Sequence, residues 1–538
     1  MMTGFHELVY PELEKKQLTG YIIISTISGV VGICLTYLVG HFLDLIIASC
    51  QEREWVEYIV VYVGLNIINR ICYIRMEYQR VSIEGKLSYG MTRKVLKIVY
   101  NTSYLNYCKE NPAAISQKIN NDTGIIASFY VSFFKNIIVQ TVSTIVYLLV
   151  LIKNSLLIGS LVILMMIAYT GVYLISKKLI YRTEKEVIEQ KTNYATTLFE
   201  LIEKSVSIRM NGMSQYHFGC MENDYQNLLR VLKKQIGAYS IYNVLKDILI
   251  LIFQTALFLA GGRMIRMDSM SVGTLVVMLN YFVYVLGCME FFLNIGSSYQ
   301  TVKASEERLK KYLVLDEIPT GKERQRIIEK IELKNLEFAY PGQNRLFDIT
   351  TEFCMGKIYW IRGRNGVGKS SLVNIMLGIY GTSYTGQVIY NGYRLGELDY
   401  KWFINNNTAV IEQDPYIFDG TIQENICLKG NRIDMDELKA LVSQMKLDSL
   451  MKFVDMDSTK HRENKIYSGG EKQKIAIVRT LLSDSCIWIL DEPTANLDEE
   501  SKIIFYKELE QRKKEHIILL ISHETPLCRW DHIVDIGR

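Results

Sequence analysis

The chain of 538 residues contains only seven prolines, and its ten cysteines form no C-x-x-C pair. Scattered cysteines of this kind argue against a metal site or a disulfide framework and are typical of reduced, packed thiols. The formal net charge is only +4, so composition gives no sign of nucleic-acid binding. The first 17 residues carry charges of both signs and lack the pattern of a cleaved signal peptide. We therefore expect the first apolar run to be retained as a membrane span.

Apolar residues are concentrated in the first 300 residues, whereas residues 301–538 have the composition of an ordinary soluble domain. Windows long enough to cross a bilayer of about 30 Å occur six times. We place these spans approximately at 18–47, 55–79, 129–152, 155–176, 239–261 and 272–296. The sequence therefore predicts an α-helical membrane domain over residues 1–310, a charged linker over 311–330 and a soluble domain over 331–538.

Two long polar connectors, after the second and the fourth span, have a helical pattern and no Pro/Gly-rich linker. We expect the spans to continue through them as long helices on the cytoplasmic side. Basic residues such as Lys86, Lys97 and Lys177 lie near these membrane ends, as the positive-inside rule expects. Arg263 and Arg266 depart from the rule, because they fall between the last two spans.

Several polar residues fall inside the predicted spans. Ionisable groups at membrane depth usually face a cavity or each other. Lys135, Lys246 and Asp247 have an alternative explanation, since they lie near cytoplasmic ends where long side chains reach water. Glu290 and Asn280, both on the last span, are our candidates for a substrate cavity.

The soluble half contains the run G-x-x-x-x-G-K-S over residues 363–370, between an apolar β-rich stretch and a helix-forming one. This strand–loop–helix context is the one that a phosphate-binding loop requires. Glycines allow the backbone to wrap around a phosphate, and the helix N-terminus favours its negative charge. Lys369 is expected to reach the β- and γ-phosphates, and the Ser370 hydroxyl to bind Mg²⁺.

A second apolar stretch, Ile487 to Leu490, ends in the carboxylates Asp491 and Glu492. An Asp at a strand end after a phosphate-binding loop typically orders Mg²⁺. Glu492 is then placed to polarise an attacking water as a general base. The alternative is an acidic junction between a strand and a turn.

The run S-G-G-E-K-Q begins at Ser468, 23 residues before Asp491. With it, nearly the whole chain resembles a half-transporter of the ATP-binding cassette (ABC) exporter type. Seven short motifs occur in the family's order, which makes the resemblance specific although each motif alone is weak. The implied fold is a six-span membrane domain with long cytoplasmic helical extensions, followed by an α/β P-loop nucleotide-binding domain.

The resemblance implies a role for each matching residue. Tyr340 would stack on adenine, Glu492 would be the catalytic base, and His523 would contact the γ-phosphate. Gln413 would sense Mg²⁺ and Asp498 would belong to the D-loop. The phosphate-binding residues would be Gly363, Arg364, Asn365, Gly366, Val367, Gly368, Lys369, Ser370 and Ser371. The Mg²⁺ ligands would be Ser370, Gln413 and Asp491, and the signature residues that cover a partner's ATP would be Ser468, Gly469, Gly470 and Glu471.

The resemblance also implies a dimer, because the signature of one chain completes the nucleotide site of the other. All catalytic positions hold competent residues, so a homodimer is the simplest interpretation, with a heterodimer as the alternative. By family position, the connector tips that transmit motion would lie near 116–122 and 209–216. The stretch 460–465 lacks the glycines usual before the signature, and no peptidase domain precedes the first span, so we expect no cleavage of leader peptides.

These features predict ATP-driven export across a bacterial cytoplasmic membrane, with the nucleotide-binding domain in the cytoplasm. As cofactors we expect ATP and Mg²⁺, and as partners a second half-transporter, the bilayer and an exported small peptide of a modified or bacteriocin-like kind. The alternatives are export of a lipid or amphiphilic drug, import of a chelated metal, and a membrane regulator that binds ATP without pumping. The presence of Glu492 favours ATP turnover over a regulator that only binds ATP.

Overall fold

The protein is described by a computed structural model. It covers residues 15–48, 52–108, 112–315, 317–340, 342–418, 422–427, 434–447 and 467–536. The chain divides into two compact units: residues 1–95 with 116–311, and residues 96–115 with 312–538. The stretch 460–465, for which the sequence predicts an unusual approach to the signature, lies outside the described residues.

The first unit is built from long helices. They are α1 (Lys15–Ile47), α2 (Glu52–Asn101), α3 (Pro112–Asn154), α4 (Leu156–Glu203), the short α5 (Ser205–Met210), α6 (Ser214–Arg266) and α7 (Val272–Leu313). Among the described residues, six of these helices are long and apolar enough to cross a membrane, and α5 is the exception. The spans continue into the polar connectors without a break, which confirms the predicted helical extensions.

The second unit holds two β-sheets. An antiparallel sheet has the order β2-β1-β4-β5, from β1 (Lys330–Phe338), β2 (Phe347–Cys354), β4 (Thr385–Tyr390) and β5 (Tyr393–Arg394). A parallel sheet has the order β6-β7-β8-β3-β9, from β3 (Lys357–Arg362), β6 (Thr408–Ile411), β7 (Ile487–Asp491), β8 (Ile517–Ile521) and β9 (His532–Asp535). The α-helices among the described residues from 317 onward are α8 (Lys369–Met376), α9 (Tyr400–Asn406), α10 (Ile422–Ile426), α11 (Met435–Gln444), α12 (Gly469–Leu481) and α13 (Glu499–Arg512).

The central strands of the parallel sheet are apolar throughout because both of their faces are covered. Alternate residues of β7 point to opposite sides: Ile487 and Ile489 pack into one hydrophobic cluster, and Trp488 and Leu490 pack into another. Because β3, β8 and β7 are parallel, the carboxyl ends of β3 and β7 lie at the same edge of the sheet, with β8 between them. This edge carries the phosphate-binding loop and the two carboxylates.

The turn between α2 and α3, residues 102–108, belongs to the second unit. The backbone N–H of Tyr104 donates to the carbonyl of Ile379 at 2.9 Å, and Leu105 packs on the core below it. The predicted tip at 116–122 is therefore wrong. Asp122 lies inside α3, where it is buried and paired with Arg308 at 2.5 Å. The second predicted tip, 209–216, coincides with the end of α5 and the turn into α6.

Candidate nucleotide-binding site

The phosphate-binding loop leaves β3 and enters α8 over residues 363–368. Gly366 and Gly368 have φ angles of +77° and +102°, which favour glycine. A Cβ atom on Gly368 would lie 2.8 Å from Cδ1 of Phe347, and one on Gly363 would lie 2.8 Å from the carbonyl oxygen of Ile536. Backbone conformation and crowding thus both require glycine at position 368.

Lys369 begins α8 and is almost fully buried. Its Nζ donates to the carbonyl oxygens of Gly363 at 2.9 Å and Arg364 at 3.3 Å, so the loop curls around the ammonium group. A buried cation held by neutral carbonyls is well suited to attract phosphate oxygens.

Two carboxylates at the end of β7 face the loop. The hydroxyl of Ser370 donates to Oδ2 of Asp491 at 3.1 Å. Burial raises the pKa of Asp491 above its ordinary value, while the Ser370 hydroxyl and the charge of Lys369 oppose that rise. Nearby positive charge, such as a bound cation, would favour the ionised form of this carboxyl group.

Glu492 has both carboxylate oxygens engaged. Oε1 lies 3.1 Å from Nε2 of His523, and Oε2 accepts from Nε2 of Gln413 at 3.2 Å. Its φ angle of +49° is unusual for a residue with a side chain and costs about 1–2 kcal/mol. Its backbone N–H donates to the carbonyl of Ile521 in β8, which stabilises this conformation. Strained backbone of this kind is typical of functional sites.

These groups line one cleft of about 620 Å³. It is lined by Tyr340, Gln343, Leu346, Asn365, Gly366, Gly368, Lys369, Ser370, Ser371, Gln413, Asp491, Glu492 and His523. Gly363, Arg364 and Val367 of the predicted set lie outside this lining, although Gly363 and Arg364 hold Lys369 in place. Gln343 and Leu346 were missed by sequence reasoning. Their position just after Tyr340 was the available signal.

The signature residues lie elsewhere in the unit. The Ser468 hydroxyl accepts from the backbone N–H of Glu471 at 3.3 Å, and Glu471 accepts from the N–H of Ser468 at 2.8 Å. This capping box begins α12. A Cβ atom on Gly470 would lie 2.8 Å from the carbonyl oxygen of Asn496, so the helix N-terminus packs closely on the D-loop. Ser468, Gly469, Gly470 and Glu471 do not line the cleft of their own chain.

Asp498 caps the next helix, α13. It accepts from the Ser501 hydroxyl at 2.8 Å and pairs with Lys474 at 2.8 Å. The hydrogen bond from Lys474 is the largest of the causes that hold the pKa of Asp498 well below its ordinary value. The residue therefore joins the signature helix to α13.

The two substrate candidates, Glu290 and Asn280, lie in the first unit and make different contacts. Oε1 of Glu290 lies 3.8 Å from Nζ of Lys246, on α6, and the Glu290 side chain is 51% exposed. The amide of Asn280 donates to the carbonyl of Val276 in its own helix. The ion pair with Lys246 gives Glu290 a structural partner. The role of Glu290 in a substrate cavity stays a prediction.

A separate cavity of about 330 Å³ lies among α4, α6 and α7. Four of its residues are tyrosines, and the Tyr239 hydroxyl donates to Glu184 at 2.5 Å. Its full lining is Tyr173, Leu174, Lys177, Lys178, Ile180, Tyr181, Glu184, Tyr239, Tyr242, Asn294, Ser297 and Gln300. Glu290 and Asn280 do not line it. Sequence reasoning singled out none of these tyrosines as a site residue, so this cavity was missed.

Comparisons with known proteins agree with this geometry. Residues 346–495 match the model of the ABC transporter family. The chain is 26% identical over 512 residues to the ATP-dependent lipid A-core flippase of Haemophilus influenzae, covering 91% of this chain and 84% of that protein. It is 27% identical over 375 residues to the ABC-type oligopeptide transporter ABCB9 of Rattus norvegicus, where the match covers 66% of this chain and 48% of the relative. The chain thus spans about half the length of that relative.

A solved structure, a bacterial Atm1-family ABC exporter with ATP bound, has a similar fold. The TM-score is 0.78 at 14% identity, and the match covers 97% of this chain and 93% of that one. At this identity the likeness concerns the fold. Taken with the cleft, the motif order and the six apolar helices, these matches show the architecture of an ABC exporter half-transporter: a transmembrane helical domain followed by an ABC transporter nucleotide-binding domain.

Proposed function

We propose that this half-transporter works as a homodimer that hydrolyses ATP to export a small peptide across a bacterial cytoplasmic membrane. The observation that carries the hydrolytic part is Glu492, which is held between Gln413 and His523 beside the phosphate-binding loop. A binding-only regulator does not need this arrangement. Glu492 acts as the general base that accepts a proton from the attacking water.

The other polar residues of the cleft position the γ-phosphate and the water. Lys369 and the loop amides bind the phosphate oxygens, and Lys369 lies 3.4 Å from Nε2 of His523. His523 is therefore within reach of both the γ-phosphate and the base. Gln413 orients Glu492 through its amide.

The residues at this edge also fit a Mg²⁺ ion. Ser370, Asp491 and Gln413 offer hydroxyl, carboxylate and amide oxygens, which are the ligands that Mg²⁺ prefers. The Ser370–Asp491 hydrogen bond already brings two of them together. Bound there, Mg²⁺ would neutralise charge on the β- and γ-phosphate oxygens.

The proposal of a dimer rests on the absence of the signature residues from the lining of the cleft. The signature residues, Ser468 to Glu471, form the N-terminus of α12 and do not line their own chain's cleft. A helix N-terminus carries partial positive charge and suits the γ-phosphate of a second chain's ATP. Since this chain has a complete catalytic set, two identical copies are sufficient to form two sites.

The substrate proposal rests on the tyrosine-rich cavity of the first unit. Tyrosine hydroxyls, Lys177, Lys178 and Glu184 offer hydrogen bonds and charges of both signs, which match the backbone and termini of a short peptide. The similarity to ABCB9, an ABC-type oligopeptide transporter, supports the same class of substrate. Lipid or amphiphile export is the second candidate, because the match to the lipid A-core flippases covers more of this chain.

The test is ATP hydrolysis and transport by the purified chain in proteoliposomes. We expect turnover without any second gene product, stimulation by short peptides, and peptide accumulation on the side opposite the nucleotide-binding domain. Lipid-stimulated turnover with movement of a labelled lipid would favour the second candidate. Turnover only after addition of a different half-transporter would replace the homodimer with a heterodimer, and ATP binding without turnover would overturn export.

A further inference from the structure

The ring that is proposed to stack on adenine is held by a chain of hydroxyl groups. The Tyr340 hydroxyl lies 3.0 Å from Oγ of Ser371 and 3.1 Å from the hydroxyl of Tyr380. The side-chain amide of Asn374 donates to the Tyr380 hydroxyl at 3.2 Å. Because an amide N–H can only donate, the Tyr380 hydroxyl is free to donate to Tyr340, which in turn can donate to Ser371.

The aromatic rings reinforce this arrangement. Phe338 in β1 packs edge-on against Tyr340 with centroids 5.0 Å apart, and it lies 5.3 Å from Tyr380. Tyr380 is buried, whereas Tyr340 lines the cleft. Burial is the largest cause, and the hydrogen bond with Tyr340 the second, of a rise in the pKa of Tyr380 to about 12. The Tyr380 hydroxyl therefore keeps its proton at neutral pH. Tyr340 therefore faces the cleft, and the buried Tyr380 supports it from the side of the core.

Tyr380 also lies between two residues that contact the α2–α3 turn. The carbonyl of Ile379, on one side, accepts the hydrogen bond from the N–H of Tyr104 at 2.9 Å. Gly381, on the other side, lies beside Ser103: a Cβ atom built on Gly381 would be 3.4 Å from the Cβ atom of Ser103, an ordinary van der Waals contact. The three residues 379–381 thus form one backbone segment that holds the cleft wall and the turn together.

We propose that Tyr380 is a positioning residue: it fixes the Tyr340 ring for adenine stacking and links that ring, through the segment 379–381, to the α2–α3 turn. The inference rests on the proposed role of Tyr340 in binding ATP. Fixing the ring before the ligand arrives reduces the entropy lost on binding, so the hydroxyl of Tyr380 contributes to affinity without touching the nucleotide. When ATP stacks on Tyr340, the same segment becomes more rigid and the turn with it.

The experiment measures equilibrium ATP binding to the full-length chain in nanodiscs, in the E492Q background so that hydrolysis does not interfere. We expect Y380F to weaken binding about 2- to 10-fold, the effect of one hydrogen bond. Y340F should weaken it at least as much, and the double variant should bind like Y340F, because Tyr380 acts through the Tyr340 hydroxyl. Tyr384 provides the matched control: it is a half-buried tyrosine four residues away whose hydroxyl is not one of those bonded to Tyr340, and Y384F should leave affinity unchanged.

Hydrogen exchange tests the link to the turn. In the parent chain we expect ATP to slow amide exchange in residues 102–107, and in Y380F we expect that protection to be lost even at saturating ATP. Affinity unchanged in Y380F, or additive effects in the double variant, would overturn the positioning role. Protection that persists in Y380F would overturn the link. If Y340A binds ATP as well as the parent, the proposed stacking role of Tyr340 is itself wrong.

Discussion

Nε2 of His523 lies 3.1 Å from Oε1 of Glu492, and Gln413 donates to the second oxygen of the same carboxylate. These three residues come from the ends of β8, β7 and β6, which are neighbours in the parallel sheet. The base is therefore positioned by strand order. Its backbone is held in a left-handed conformation by a hydrogen bond to β8.

The first prediction concerns that base. Replacing Glu492 with Gln keeps the shape and removes the proton acceptor, so ATP turnover should fall on the order of 10²–10⁴-fold. Equilibrium ATP binding should persist. The measurement is phosphate release in proteoliposomes. E352Q, an identical change on the exposed surface of β2, should leave turnover intact; if both variants turn over normally, Glu492 is not the base.

The second prediction separates backbone strain from crowding at the phosphate-binding loop. G368A introduces a side chain at φ +102° and 2.8 Å from Phe347, so it should abolish ATP binding and lower the Tm of the nucleotide-binding domain. G392A is the control, since position 392 has φ +88° but open space around it. Its cost should be only about 1–2 kcal/mol, from the left-handed backbone. Equal losses of Tm in the two variants would rule out the contact with Phe347 as a cause.

The third prediction follows from the buried carboxyl group of Asp491. Because burial raises its folded-state pKa, the ionised form destabilises the fold at neutral pH, and this cost disappears as pH falls below that pKa. D491N should therefore raise the Tm of the nucleotide-free protein at pH 7 while turnover is lost. The gain should shrink at pH 4.5. A Tm for D491N below that of the parent at pH 7 would contradict this account.

The fourth prediction concerns His516, which is buried and stacked on Trp488 with ring centroids 3.9 Å apart. Burial is the main cause that lowers its pKa below 6.5, so the unfolded chain binds a proton more readily than the folded one. Stability from this residue is present above pH 6.5 and is lost as pH falls through the folded-state pKa.

Thermal unfolding of the parent chain and H516N between pH 5 and 8 measures this effect. We expect the Tm of the parent to drop more steeply below pH 6.5 than that of H516N. Parallel curves would show that His516 does not titrate differently on folding.

The fifth prediction addresses Glu290 on α7. E290A leaves Lys246 without its partner in a membrane-spanning segment, so we expect a lower Tm, which the double variant K246M/E290A should recover. If Glu290 also faces the substrate, E290A should change peptide-stimulated turnover at unchanged basal turnover. N280A, which breaks only a bond within one helix, is the control for general damage to α7. Unchanged stimulation in E290A would remove Glu290 from the substrate pathway.

Much of the nucleotide site could be predicted from sequence because its groups sit at fixed offsets from strand and helix ends. The run from Gly363 to Ser370, the pair Asp491–Glu492 and the residue His523 each follow a strand that is apolar enough to recognise. Gln343 and Leu346 follow Tyr340 without a motif of their own, and they were found only because the chain folds back over the cleft.

The tip of the first connector shows where sequence reasoning failed. Residues 116–122 have a helical pattern and are indeed helical, but pattern alone does not locate the turn that precedes them. That turn is placed at 102–108 by the hydrogen bond from Tyr104 to Ile379 and by the packing of the partly buried Leu105 on the core, and the hydrogen bond joins residues 275 positions apart.

The sequence by itself determined the class of the protein: six apolar spans, a phosphate-binding loop, a signature and a catalytic carboxylate in one order. These are local patterns, set by periodicity and by glycines that no other residue can replace. Only the tertiary structure decided that Lys246 faces Glu290, that four tyrosines line one cavity, and that Tyr380 supports Tyr340 from behind. Such pairings depend on how distant helices and strands pack, and side-chain burial and hydrogen bonding select them only after the backbone has brought the residues together.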